Sequence, residues 1–205
     1  MNLSAVILAG GESCRMGQDK AWLEVDGEPL IKRALFTVRD SGIQEVLISG
    51  RPGTDYSTLG CPVVFDQEPG CGPLGGIERG LAAATARLVL VLAVDLPNMT
   101  AAFLRKLAAH CHPPMGAIPQ LRGEVEPLAA IYPKGCQVTA RDCLLKSRRG
   151  ARYFARLCQR QQAVRTFTVA GTDADCFSNW NSPADVTVPR RAAPPADPPP
   201  TEPGS

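Results

Sequence analysis

The most informative stretch of this chain is Val6-Ile7-Leu8-Ala9-Gly10-Gly11-Glu12-Ser13-Cys14-Arg15-Met16-Gly17-Gln18-Asp19-Lys20. In it a short apolar strand runs directly into a glycine-rich turn, which is followed by one arginine and one lysine. Glycine lets the backbone approach an anion closely, and successive N–H groups in such a turn form an anion-binding concavity. Arg15 and Lys20 can then neutralise phosphate oxygens. The stretch therefore predicts a triphosphate site at the end of the first strand.

The turn matches neither of the two commonest nucleotide-binding fingerprints. A P-loop ends in Gly-Lys-Ser/Thr, whereas Gly17 is followed here by Gln18. A dinucleotide-binding loop needs Gly-x-Gly-x-x-Gly, whereas Gly10 and Gly11 are adjacent. The sequence therefore disfavours kinase, P-loop ATPase and NAD-dependent functions, and an ordinary glycine-rich turn is the remaining alternative.

Segments of strand and helix type alternate along the rest of the chain. The run 87–94 is apolar almost throughout, which is typical of a central parallel strand that is covered on both faces. Pro29 and Thr100 are favourable helix starts, and a turn at Asp26-Gly27 closes a short extended piece at 22–25. The predicted strands are 4–9, 45–49, 62–65, 87–94, 116–121, 127–132 and 164–169, and the predicted helices are 29–39, 73–85, 100–107, 135–146 and 151–159, with a short helix from Pro183.

This alternation predicts an α/β fold. Parallel strands with helical crossovers place helices on both faces of one sheet, so we expect a three-layer α/β/α sandwich with a mostly parallel, Rossmann-like central sheet and an antiparallel excursion around Gly123. A chain of 205 residues can bury one good core, and we predict a single domain over residues 1–188. Residues 189–205 contain seven prolines and no apolar period. They predict a disordered Pro-rich tail, with a partner-binding Pro-rich ligand as the alternative.

Composition argues against several function classes. The net charge of +2 gives no electrostatic case for binding nucleic acid or an anionic membrane. No run reaches the roughly 20 apolar residues of a membrane span, and no basic leader precedes the first apolar run, so we expect a cytoplasmic location. The eight cysteines show no Cys-x-x-Cys spacing, which disfavours a zinc ribbon and favours small buried thiols.

Asp95 follows the most apolar predicted strand and is the candidate metal ligand. Ligands of open parallel sheets lie beyond the carboxyl ends of the strands, so we expect Gly10 and Asp95 to meet in one cleft. A carboxylate beside a phosphate loop is a natural Mg²⁺ ligand, because Mg²⁺ takes one or two protein carboxylates together with phosphate oxygens and waters. The alternative is that Asp95 is a helix N-cap, with a turn that starts at Pro97.

The string Leu8-Ala9-Gly10-Gly11-x-Ser13-x-Arg15-Met16-Gly17-x-Asp19-Lys20 resembles the signature of nucleotidyltransferases that act on the molybdenum cofactor, and most closely that of molybdenum cofactor guanylyltransferases. Segments 64–66, 72–76, 93–97, 126–132 and 179–183 fall in the family's order. The resemblance implies the nucleotide-diphospho-sugar transferase type of fold. It also implies transfer of GMP from GTP to the terminal phosphate of molybdopterin, with release of pyrophosphate.

The resemblance further implies roles for single residues. Arg15 and Lys20 would hold the β- and γ-phosphates and act in catalysis with Asp95, which would bind Mg²⁺. Segment 72–76 would lie against the purine. Ser49 is the best positional match for an Asn-like residue of close relatives. Asp66 would bind the nucleotide, and the alternative for it is a loop carboxylate without function. The implied nucleotide-binding residues are Leu8, Ala9, Gly10, Gly11, Gly17, Lys20, Ser49, Asp66 and Asp95.

Three residues are implied on the acceptor side. Glu126 would orient the acceptor, with a surface glutamate on an alternating strand as the alternative. Asn179 and Asn181 match an Asn-x-Asn segment of the family near the metal, although an Asx turn before Ser182-Pro183 fits the sequence equally well. The implied partners are GTP, molybdopterin, and proteins that insert the cofactor or receive it as apo-molybdoenzymes.

The implied reaction needs no nucleophilic side chain. The acceptor phosphate is already an anion, so catalysis reduces to in-line positioning and charge stabilisation, and neither of the two histidines lies beside a candidate motif. Three alternatives remain: a cytidylyltransferase that uses CTP, a sugar-1-phosphate nucleotidyltransferase, and a non-catalytic nucleotide-binding subunit for molybdoenzyme maturation. The Leu-Ala-Gly-Gly opening and Asp19-Lys20 favour guanine over cytosine.

Overall fold

A computed structural model describes residues 2–10, 19–66 and 70–178 of the chain. The strands are β1 (Leu3–Leu8), β2 (Glu24–Val25), β3 (Glu28–Pro29), β4 (Glu45–Ser49), β5 (Val63–Val64), β6 (Leu88–Ala93), β7 (Gly116–Leu121), β8 (Glu124–Val125), β9 (Ala129–Pro133) and β10 (Val164–Thr168). The α-helices are α1 (Leu30–Asp40), α2 (Pro73–Ala83), α3 (Ala101–Ala109), α4 (Cys136–Leu145) and α5 (Ala151–Arg160). Short 3-10 helices cover Lys20–Trp22, Ser57–Leu59 and Gly171–Phe177.

The main sheet is mostly parallel, as predicted. Its strand order is β10-β7-β9-β6-β1-β4-β5, and β8 pairs with β7. Strand β1 lies between β4 and β6 and is parallel to both, whereas β9 is antiparallel to β6 and to β7. The predicted antiparallel excursion is therefore confirmed, and it places one reversed strand inside the sheet.

Two apolar layers cover the two faces of the sheet. Because side chains alternate along a strand, Ala5 and Ile7 of β1 pack in one core with α1 and α3, while Val6 and Leu8 pack in the other with α2, α4 and α5. This arrangement confirms the three-layer α/β/α sandwich. None of the described cysteines forms a disulfide, and all of them are buried except Cys61, which is half-buried.

Local structure differs from the prediction in two hairpin regions, and the 3-10 helices Ser57–Leu59 and Gly171–Phe177 were not predicted. Trp22, the first residue of the segment predicted as extended at 22–25, instead ends the 3-10 helix Lys20–Trp22. Strands β2 and β3 form a hairpin around Asp26 and Gly27, both with positive φ. The turn at Arg122-Gly123 does not join β7 to β9 directly, because the two-residue strand β8 pairs with β7 first. In both places a two-residue strand was too short for periodicity to reveal.

A polar cluster ties the amino-terminal edge of the sheet together. Ser4 of β1 is fully buried, and its hydroxyl donates to Glu45 of β4 and accepts the backbone N–H of Ala86 (2.9 Å). The same carboxylate accepts the Thr85 hydroxyl (2.8 Å) and the Thr85 N–H (3.1 Å). Burial alone would raise the pKa of Glu45, but the hydrogen bonds from Ser4 and Thr85 outweigh it and lower that pKa.

Several predictions fall on residues outside the described ranges. These are the glycine turn with Gly11, Arg15 and Gly17, the segment with Asn179 and Asn181, the helix from Pro183, and the tail 189–205. The domain boundary at residue 188 likewise stays a prediction. Within the described ranges, the helices are too short or too polar to cross a membrane.

Candidate active site

A cleft opens at the carboxyl-terminal edge of the sheet, where β1, β4 and β6 end side by side. Parallel strands in register finish at one edge, and Leu8 pairs here with both Ser49 and Ala93. The cleft is lined by Leu8, Ala9, Gly10, Lys20, Ser49, Asp66, Gly72, Pro73, Gly76, Ala93, Val94, Asp95 and Leu128.

Backbone hydrogen bonds continue past the strand ends and hold this edge in place. The N–H of Ala9 donates to the carbonyl of Ser49 (2.8 Å), and the N–H of Val94 donates to the carbonyl of Leu8 (3.2 Å). On the other side, the N–H of Ala93 donates to the carbonyl of Leu128 (2.8 Å). The floor of the cleft is thus a short extension of the sheet.

Lys20 and Asp95 meet across the cleft although they are far apart in sequence. The Lys20 ammonium Nζ lies 3.0 Å from Oδ2 of Asp95, and the two side chains are 16% and 28% exposed. Asp95 does not cap the following helix, because α3 begins at Ala101 and the Thr100 hydroxyl accepts the Phe103 N–H there. The helix-cap alternative is therefore wrong, and the expectation that Gly10 and Asp95 meet in one cleft is confirmed because both line it.

The wall opposite this ion pair is built from glycines of α2 that touch the strand ends. A Cβ on Gly76 would lie 2.9 Å from Leu8 and closer still to the Ser49 hydroxyl, so only glycine allows this approach. Ser49 is 4% exposed. Close packing of α2 thus leaves no large side chain at Gly76, which lines the cleft together with Ser49.

Asp66 contributes a half-buried carboxylate with an unpaired oxygen. Among the described residues, no group donates a hydrogen bond to its buried Oδ1. Burial raises the pKa of Asp66, and the positive charge of Arg79 partly offsets that rise. A buried acceptor without a donor is unfavourable, and a ligand that brings N–H or O–H groups into the cleft would satisfy it.

The cleft brings together all the described residues that the resemblance implies for nucleotide binding: Leu8, Ala9, Gly10, Lys20, Ser49, Asp66 and Asp95. Glu126 does not line it, although Leu128 of the same segment does. The half-buried Glu126 carboxyl has a pKa raised by burial and partly lowered by Arg152. Its acceptor role stays a prediction.

The donor set of the cleft suits Mg²⁺ rather than a metal held by protein ligands alone. The described residues contain no group of three or more His, Cys, Asp or Glu side chains that could hold a metal. Asp95 offers a single partly exposed carboxylate, and Mg²⁺ is commonly held by one or two carboxylates together with phosphate oxygens.

The sequence matches a known family over most of its length. The model of the MobA-like NTP transferase domain matches residues 5–164, a range that contains every described residue of the cleft. This chain belongs to the MobA-like NTP transferase family.

Relatives agree with this assignment, and a solved structure shares the fold. The chain is 38% identical over 192 residues to a probable molybdenum cofactor guanylyltransferase of Opitutus terrae, covering 92% of this chain and 95% of that protein. It is 33% identical to another of Deinococcus radiodurans, covering 90% and 92%. The crystal structure of molybdopterin-guanine dinucleotide biosynthesis protein A from Archaeoglobus fulgidus superposes with a TM-score of 0.70 at 21% identity, over 89% of this chain and 94% of that one.

Sequence reasoning missed a cluster beside the ion pair. Asp19, Thr54 and Tyr56 are joined by hydrogen bonds at the base of the segment that carries Lys20. An aspartate directly before a short helix is a recognisable cap signal, but nothing in the sequence links it to residues 54 and 56.

Proposed function

We propose that this chain transfers GMP from GTP to the terminal phosphate of molybdopterin and releases pyrophosphate. The observation that carries the proposal is the Lys20–Asp95 pair (3.0 Å) in a cleft at the carboxyl ends of parallel strands. Two relatives that match this chain over more than nine-tenths of their own length are named probable molybdenum cofactor guanylyltransferases, which supports the proposal.

The chain supplies charge and position rather than a nucleophile. The acceptor phosphate attacks the α-phosphorus of GTP, the new P–O bond forms, and the bond to the bridging oxygen of pyrophosphate breaks. Negative charge grows on the departing pyrophosphate, and the Lys20 ammonium neutralises it there. Arg15, outside the described residues, is proposed to act in the same way.

Asp95 is proposed to hold Mg²⁺ on the triphosphate. When bound, this ion polarises phosphate oxygens and orients the triphosphate. The Lys20 ammonium neutralises the Asp95 carboxylate, so both charged groups already lie side by side in the cleft. On binding of Mg²⁺–GTP, Lys20 would exchange this pair for contacts with the phosphates, and Asp95 would exchange it for the metal.

The opposite wall is proposed to bind the guanosine part. The main chain of Leu8, Ala9 and Gly10 would face the edge of the base, and Ser49 and Gly76 lie against each other beside it. Asp66 accepts hydrogen bonds readily because its Oδ1 is unpaired among the described residues. Guanine N–H groups and ribose hydroxyls are donors of this kind.

The proposal is tested by pyrophosphate release with GTP or CTP, each with and without molybdopterin. We expect release with GTP and molybdopterin together. Release with CTP instead would identify the cytidylyltransferase, and binding without release would identify a non-catalytic subunit.

Two variants test the proposed residues. Lys20→Ala and Asp95→Ala should each lower turnover by more than about tenfold, as loss of a charge-stabilising group does. Lys106→Ala is the matched control, because Lys106 also pairs with an aspartate, Asp173 (2.7 Å), but lies outside the cleft. Near-normal turnover in both cleft variants would reject the assignment. Magnesium dependence, the cytoplasmic location and further protein partners remain predictions.

A further inference from the structure

Asp19 uses both oxygens of its carboxylate at the start of the segment that carries Lys20. Oδ1 accepts the backbone N–H of Ala21 (3.1 Å) and so caps the 3-10 helix Lys20–Trp22. Oδ2 accepts the Thr54 hydroxyl (3.0 Å) and the Tyr56 hydroxyl (3.3 Å). A cap needs only the first of these bonds, so the bonds to Thr54 and Tyr56 call for another explanation.

Tyr56 is fixed in place from three sides. Its hydroxyl accepts the backbone N–H of Arg51 (3.0 Å), and its ring stacks on Trp22 with centroids 6.3 Å apart. The side chain is 3% exposed, and burial raises the pKa of its hydroxyl. The hydroxyl therefore keeps its proton at neutral pH and donates a hydrogen bond to Asp19.

The loop after β4 is shaped to receive this ring. A Cβ on Gly50 would lie 2.9 Å from Val63 and closer still to the ring of Tyr56, so glycine is required at that position. Gly50 directly follows Ser49, which lines the cleft. The bonds of Asp19 thus join the Lys20 segment to the strand end on the opposite wall.

We propose that Asp19 is a positioning residue. Through Thr54 and Tyr56 it holds the Lys20 ammonium beside Asp95 and fixes the distance between that ammonium and Ser49 of the cleft wall. The catalytic consequence of this proposal rests on the proposed function of Lys20, whereas the placement of Lys20 does not. Holding a long lysine side chain costs rotamer entropy. When the backbone at Asp19 and Lys20 is already fixed, no further backbone entropy is lost in placing the Lys20 charge.

The variants Thr54→Val and Tyr56→Phe test this directly, alone and combined. Both preserve shape, and Phe retains the stack on Trp22, while each removes one hydroxyl that donates to Asp19. Asp55→Asn is the matched control, because Asp55 lies in the same loop and accepts a backbone N–H from Ser57 (2.8 Å) but makes no described bond to Asp19. Thermal unfolding shows whether each variant is folded.

The first measurement is the reaction rate of the Lys20 amine with trinitrobenzenesulfonate, followed by peptide mass spectrometry. Lys106 in the same sample is the internal reference. The Asp95→Asn variant gives the Lys20 rate in the absence of the ion pair with Asp95. We expect the double variant to raise the Lys20 rate by about 2- to 10-fold, the range that the loss of hydrogen bonds permits, with Lys106 and the Asp55→Asn protein unchanged. An unchanged Lys20 rate in the folded double variant overturns the proposal.

The second measurement is kcat/KM for GTP in two backgrounds. With Lys20 present, the double variant should lower kcat/KM by about 2- to 10-fold; with Lys20→Ala it should have no further effect, because a positioning residue acts only through the group that it positions. GTP affinity by calorimetry replaces kcat/KM where turnover is too low. Equal losses in both backgrounds would reduce Asp19 to a structural role and overturn the proposal. If Lys20→Ala costs no activity but the amine rate still rises, the proposed function fails and the positioning of Lys20 stands.

Discussion

The two edges of the central sheet use carboxylates in opposite ways. At the amino-terminal edge, Glu45 accepts hydrogen bonds from Ser4 and Thr85, and these bonds lower its pKa. At the carboxyl-terminal edge, Asp66 has a raised pKa and an oxygen without a donor among the described residues, and Asp95 shares a cleft with Lys20. One edge is closed by its own side chains, and the other presents charges to a cavity.

This difference separates structural polar groups from binding groups. A satisfied buried cluster stabilises the fold, since removal of one member leaves another without a partner. An unsatisfied group beside a cavity costs stability in the free protein and recovers that cost when a ligand arrives, as perturbed groups at functional sites often do. The two edges share strands, so variants at either edge can be compared within one protein.

The largest expected effect separates activity from stability. Asp95→Asn should lower turnover by about 100-fold, because it removes the charge proposed to hold Mg²⁺, with little change in the thermal midpoint. Glu45→Ala should lower the free energy of unfolding by about 1–2 kcal/mol, because the Ser4 hydroxyl loses its partner, with normal turnover. Pyrophosphate release and denaturant unfolding measure the two. A large activity loss in Glu45→Ala would break the comparison.

The next effect compares two glycines one turn apart on α2. A Cβ on Gly80 would lie 2.6 Å from Val6 in the core, whereas one on Gly76 would press on Ser49 and Leu8 in the cleft wall. Both Gly→Ala variants should lose about 1–3 kcal/mol from overpacking. Only Gly76→Ala should also raise the KM for GTP, because its wall moves into the cleft. An equal KM in the two variants would show that this wall does not contact the nucleotide.

The smallest effect is a difference in the pH dependence of stability. The lowered pKa of Glu45 means that its contribution is present above its unfolded pKa of about 4.3 and is lost as pH falls through the folded value. The raised pKa of Asp66 has the opposite sign, so the ionised form is penalised at neutral pH.

Asp66→Asn should therefore raise the thermal midpoint slightly at pH 7, and this gain should fade as pH falls through the folded pKa of Asp66. The wild-type advantage over Glu45→Ala should shrink in the same titration. Thermal melts from about pH 2 to about pH 8, a range that extends below the ordinary carboxyl pKa values of about 4, provide the measurement. A midpoint lowered at pH 7 by Asp66→Asn would show that its carboxylate is satisfied in the folded state.

The five described α-helices agree with the sequence prediction because they depend on local signals. The apolar spacing of Leu74, Ile77 and Leu81 fixes α2, and the Thr100 hydroxyl caps α3 as its position suggests. Two-residue strands such as β8 escaped prediction because their pairing partner, rather than their own periodicity, defines them.

The alternation of strands and helices and the carboxylate after the most apolar strand follow from contiguous residues alone. The glycine turn with its cations is likewise a prediction from contiguous residues, outside the described ranges. Only the tertiary structure decided that Lys20 meets Asp95, that an oxygen of Asp66 stays unpaired among the described residues, and that Asp19 binds Thr54 and Tyr56. Those facts depend on strand order, register and the close approach of α2, which arise from packing between segments that are distant in the chain.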